Sequence, residues 1–221
     1  MSGSSNSNGG GLVGFMVVLF VAGGFYFLSK DPASVIPVGA PADAVQSEVA
    51  EQVPAMRDQF FLESSKTPGF TTFYDQQYLF HIDYPEGWEL QTPMFDLVAA
   101  MFFAPQDDAS QDFFVNVNVT VDDIAKYGGL SLQDYSDQAL VQLKQVFPNY
   151  ELLDQGPRNL GPIDGHYMVA SYAEGETTVE IFSIFAFTEE RIYALTYSYL
   201  PDQKELSESL VDHMVESFGL L

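Results

Sequence analysis

The chain contains no cysteine in 221 residues. That removes disulfides, thiolate metal sites and thiol nucleophiles together, and it excludes a lipid-modified N-terminal cysteine, so any membrane tether has to be a protein segment. Basic residues are scarce as well: eight lysines and arginines stand against 31 acidic side chains, for a net charge of −23. Such a surface repels a phosphate backbone, which argues against nucleic acid as a partner, and it repels anionic headgroups, which confines bilayer contact to an inserted segment. Solubility, or adaptation to a salty environment, accounts for the charge as readily as docking on a basic partner does. Residues 1–29 lack charge of either sign altogether.

What that uncharged stretch holds is hydrocarbon. Leu12 to Leu28 (LVGFMVVLFVAGGFYFL) is an unbroken apolar run that as a helix spans roughly 25 Å, enough for a bilayer core. Phe15, Phe20, Phe25, Tyr26 and Phe27 are spread over every face, without the polar stripe of a helix at a domain surface. The favoured reading is a polar tail over 1–11 and an uncleaved transmembrane signal anchor over 12–29. A cleaved secretory signal stays open, since Pro37 to Ala42 offers small residues to a peptidase, although the leading MSGSSNSNGG has no basic n-region. A buried core helix is the third alternative. Lys30, followed at once by Asp31, gives only a weak vote for a cytoplasmic domain.

Residues 30–69 read as a linker. Pro32, Pro37, Pro41, Pro54 and Pro68 interrupt it, and Val45, Val49 and Val53 suggest one short helix ended by Pro54. From Phe70 to the end, residues 70–221 form the domain. Phe80, Ile82 and Tyr84 alternate with His81 and Asp83, predicting a half-buried strand that stops at Pro85. Residues 96–104 predict a second, and Val115 to Val121 a third whose valine face needs a core. Ser131 with Asp134 opens a helix carrying Leu132, Tyr135, Ala139, Leu143 and Val146 on one face, with Pro148 beyond it. His166–Tyr172, Thr177–Phe187 and Arg191–Leu200 then form an antiparallel meander. Asp202 and Glu205 cap a last helix with Leu206, Leu210, Met214 and Phe218 inward and Gly219 at its end. Strands and helices in this order predict an α+β domain with helices packed on an antiparallel sheet.

Chemistry leaves few marks. His81, His166 and His213 show no pairwise ligand spacing. Asp107, Asp108 and Asp112, and then Asp122 and Asp123, are the densest carboxylates. Their type suits Ca²⁺ or Mn²⁺, but their spacing is not that of a calcium loop, and turn solvation explains them more simply. There is no serine elbow, Walker sequence or dinucleotide glycine motif. The sequon Asn118-Val119-Thr120 lies in mid-strand. No catalytic or cofactor residue is assigned.

Tyr84-Pro85-Glu86-Gly87-Trp88 resembles the Y-P-x-G-W segment that opens PsbP-family domains, the extrinsic lumenal proteins of photosystem II and their bacterial relatives. Arg191-Ile192-Tyr193-Ala194-Leu195-Thr196, Leu200-Pro201 and Ser217-Phe218 follow the same family's closing pattern. The resemblance covers about 70–220 and implies an α-β-α sandwich around a central antiparallel sheet, with Trp88 in the core. It also implies a non-catalytic role, binding or stabilising a membrane protein complex such as photosystem II on the lumenal or periplasmic side. The alternative is an extracytoplasmic protein that binds a small ligand or a divalent metal.

Overall fold

The computed structural model describes residues 18–21, 24–27, 36–37, 60–91, 98–105, 115–147, 149–174 and 176–221. Val18–Val21 (β1), Gly24–Phe27 (β2) and Ile36–Pro37 (β3) pair antiparallel as a small sheet. Of the predicted anchor only β1 and β2 are described, and there the backbone is extended rather than helical. The rest of 12–29, the Val45–Val53 helix and the Asp107, Asp108 and Asp112 cluster lie outside the described residues. No helix among the described residues is long and apolar enough to cross a membrane.

The domain is built on a seven-stranded antiparallel sheet. Its strands are Glu89–Gln91 (β7), Val98–Phe103 (β8), Asn116–Asp123 (β9), Glu151–Pro157 (β10), Gly165–Glu174 (β11), Thr177–Phe187 (β12) and Arg191–Tyr199 (β13), in the order β10-β11-β12-β13-β9-β8-β7. The predicted meander is β11 to β13. The helix Leu132–Val146 (α1) covers one face. Ser131 accepts from the Asp134 amide and Asp134 receives the Ser131 amide, the reciprocal cap that the sequence announces. Its Tyr135, Ala139, Leu140 and Leu143 pack on Met168, Ala170, Tyr172, Ile181 and Phe185.

The opposite face departs from a plain helix layer. A second sheet, made of Phe60–Ser64 (β4), Phe70–Asp75 (β5), Phe80–Pro85 (β6) and Gly219–Leu220 (β14), runs in the order β14-β6-β5-β4, and the helix Lys204–Ser217 (α2) lies alongside β6. Between this mixed layer and the large sheet, Phe73, Phe80, Ile82, Met214 and Phe218 meet Val117, Val119, Val121, Leu195 and Tyr197. Phe80 and Phe218 stack with ring centres 5.3 Å apart. Burying a side chain of that size contributes about 1.5–3 kcal/mol.

The sequence motifs acquire physical roles here. Gly87 takes φ +88° so that the chain turns between Pro85 and Trp88, and Trp88 is buried in this core. Two expectations at the C-terminus change. Asp202 and Glu205 do not cap α2; a 3₁₀ turn over Pro201–Gln203 precedes it, and the Gln203 side chain receives the Leu200 amide at 3.3 Å. Gly219 does not stop the helix but enters β14 opposite His81. β4 falls inside the stretch 30–69 read as linker.

Candidate functional site

Several of the described carboxylates, together with His213, hold the fold together. Asp83 is buried on β6 and accepts from Ser65 Oγ at 2.5 Å and Thr72 Oγ1 at 2.6 Å, with His213 Nε2 3.2 Å away. Its own amide donates to Ser217 Oγ at 2.9 Å. Burial alone would raise the Asp83 pKa, but the hydrogen bonds from Ser65, Thr72 and His213 outweigh it and hold the carboxyl below its ordinary value. The cluster therefore fastens α2 to β6.

Asp122 receives Lys126 Nζ at 2.6 Å and the Tyr127 hydroxyl, while Asp123 caps the 3₁₀ turn Ile124–Tyr127 through the Ala125 amide. Of the five suspected metal carboxylates, the two that are described, Asp122 and Asp123, are thus committed to local structure. The histidines do not converge: His81 sits on β6 beside Tyr74, His166 on β11 opposite Phe185, and His213 on α2. Among the described residues no group of three or more His, Cys, Asp or Glu side chains could hold a metal ion. Asn118 is fully buried and so unsuited to glycosylation.

The arrangement the sequence reading did not identify is a cleft of about 390 Å³ where β10 to β13 run past α2. Alternation along each strand sends Tyr167 (β11), Phe182 (β12), and Tyr197 and Tyr199 (β13) to the same side. Tyr167 and Phe182 stack at 5.9 Å and are half-buried, and Tyr197 and Tyr199 stack at 4.4 Å below them. Arg158 lies over the Phe182 ring at 5.1 Å and reaches Asp212 Oδ1 on α2 at 2.7 Å. Lys204 and Glu208 flank the opening 3.9 Å apart, and Tyr167 donates to Asp154 at 2.8 Å.

Burial pushes the Tyr197 phenol up to about 12 and carries Tyr199 higher, with Glu180 beside it adding to the rise. These hydroxyls stay protonated at every physiological pH, so what the cleft offers is ring faces, neutral hydrogen bonds and paired charges. Two of the eight basic side chains of a strongly acidic chain meet there. The signal was available: Tyr197 and Tyr199 two apart, and Phe182 in phase with Glu180, mark strand faces that a plain core would fill with aliphatics.

No protein-family model matches the sequence, and no curated protein matches it. Solved structures do. The solution structure of cyanobacterial PsbP (CyanoP) from Synechocystis sp. PCC 6803 superposes with a TM-score of 0.52 at 13% identity, covering 72% of this chain and 96% of that one. The fold is PsbP-like. The crystal structure of LpqN, described as involved in cell envelope biogenesis of Mycobacterium tuberculosis, matches with a TM-score of 0.54 at 13% identity, over 73% of this chain and 90% of that one. At such identities the PsbP-like likeness speaks to architecture alone.

Proposed function

We propose that this chain is a non-catalytic accessory protein, tethered to a membrane by residues 12–29. Its PsbP-like domain lies on the extracytoplasmic side, in a periplasm or thylakoid lumen, and binds and stabilises a membrane protein complex there. The observation that carries this reading is the cleft beside α2. Tyrosine, phenylalanine and arginine are side chains on which binding energy concentrates, and here Tyr167, Phe182 and Arg158 are already held by stacking and an ion pair, so little freedom is lost on docking. Tethering raises the effective concentration of the domain at its partner, so a modest affinity suffices. Likeness to a cyanobacterial PsbP makes photosystem II one candidate complex, and likeness to LpqN makes an envelope complex another.

The test is retention of the full-length protein on its complex in mildly solubilised native membranes, for wild type, Arg158→Glu and Phe182→Ala, each checked for folding by circular dichroism. Each substitution is expected to lower retention about tenfold, the loss of roughly 1.4 kcal/mol at one contact. Retention equal to wild type in both would remove the cleft from the interface. One observation favours a second reading: about 390 Å³ lies within the roughly 300–1,000 Å³ of small-molecule sites. A saturable thermal shift with a small ligand, abolished by Phe182→Ala, would mark that function instead.

A further inference from the structure

β4 is the outer strand of the small sheet and pairs only with β5 among the described residues. Soluble proteins guard such an edge with lysine, proline, a bulge or a covering element, because its free amides and carbonyls template pairing with another strand. β4 reads Phe60-Phe61-Leu62-Glu63-Ser64, and Phe61 and Leu62 are 39% and 47% exposed. It carries no lysine or proline. Its one charge is Glu63.

The outer face of this sheet also carries a ladder of rings in register. Phe61 pairs with Tyr74, Tyr74 with His81, and His81 with Gly219, so one row crosses all four strands. Phe61 and Tyr74 are nearly parallel, 7° apart with centres at 4.4 Å, and Tyr74 and His81 follow at 5.6 Å. Gly219 closes the row because a Cβ there would lie 2.3 Å from His81 Nε2. At the β4 end the row stops at the exposed ring of Phe61.

From this geometry we infer that β4 is a strand-addition site, taking an extended basic segment of the membrane partner as a fifth strand. This rests on the accessory-protein reading for the partner but not on the cleft. Main-chain hydrogen bonds along β4 supply affinity, and a ring or arginine placed opposite Phe61 extends the ladder. Charge selects the segment: on a chain of net charge −23, lysines and arginines at the alternate positions are attracted, whereas a second copy of this chain is repelled. β4 is also the first strand of the domain after the predicted tether, so its edge belongs to the part of the domain that the chain joins most directly to the membrane.

The experiment places a photo-crosslinking amino acid at Leu62 of the full-length protein in native membranes, with the same substitution at Val141, 56% exposed on α1, as control. Leu62 should join one membrane protein through a basic, alternating peptide that Val141 does not reach. In the complex the amides of 60–64 should exchange at least tenfold more slowly than in the isolated protein, and Leu62→Lys should lower retention about tenfold. Adducts to a second copy, to residues 38–59 of the same chain, or to lipid alone would overturn the inference, as would unchanged retention of Leu62→Lys. Release by Arg158→Glu but not by Leu62→Lys would leave the accessory reading standing and remove the edge. Absence of any complex with wild type would remove both.

Discussion

Asp83 ties together several elements of the small layer. It joins β5, the turn after β4 and α2 through Thr72, Ser65 and His213, and its amide holds Ser217. Asp83→Asn weakens charge-assisted hydrogen bonds and should cost about 2–4 kcal/mol at neutral pH, read as a fall in the urea midpoint. The pH dependence has a definite sign. A carboxyl held below its unfolded value stabilises above that value, near pH 4, and loses this contribution as pH falls through the folded value. The gap between wild type and Asp83→Asn should therefore hold from pH 7 down to about pH 4 and narrow progressively below it; a gap unchanged below that point would mean that the charge is not what holds the cluster. Buried Asp75 acts oppositely: burial raises its pKa, so protonation in acid relieves a cost that exists at pH 7. Gly161 is a steric counterpart. At φ +54° it donates to Val215 O, and a Cβ there would lie 1.8 Å from Phe218 O. Gly161→Ala should lower stability by about 2–4 kcal/mol and the thermal midpoint with it.

At the scale of elements, what the sequence made legible follows local signals. The α1 cap needs only Ser131 and Asp134, and Ser131→Ala should cost about 1 kcal/mol by thermal unfolding. A change near zero would show that tertiary packing alone sets that helix end. β6, β9 and the meander announced themselves through period-two alternation. β4 and β10 did not. β10 contains Asp154, Gly156 and Pro157, poor strand residues that become strand because β11 pairs with them, and β4 is short and adjoins a proline-punctuated stretch. The Asp202–Glu205 cap failed because Pro201 and the Leu200–Gln203 contact start a 3₁₀ turn first. The polar side of β9 was equally hidden: Asn118 is as buried as Val117 and Val119 in this strand, which lies inside the large sheet between β13 and β8. The cleft is a tertiary object. Arg158, Phe182 and Asp212 are far apart in the chain and meet only when α2 lies along β6.

For the whole molecule, a net charge of −23 sets how the domain approaches a partner. Attraction to a basic surface acts over a Debye length of about 10 Å at 0.1 M salt and about 3 Å at 1 M. Raising salt from 0.1 to 1 M should slow association and release the domain from its complex, while stability, resting on two apolar layers, should change little. Tighter retention at high salt would point to an apolar interface instead. The tether reverses part of that loss, since an anchored domain re-docks from a high local concentration. Anchoring and docking together are the centre of the account. The most direct measurement is purification of the tagged full-length protein from mildly solubilised native membranes, with mass spectrometry of its partners and of its own N-terminus. The account predicts a stoichiometric membrane complex containing a chain with residues 1–30 intact; a free protein beginning near Pro41 would contradict it.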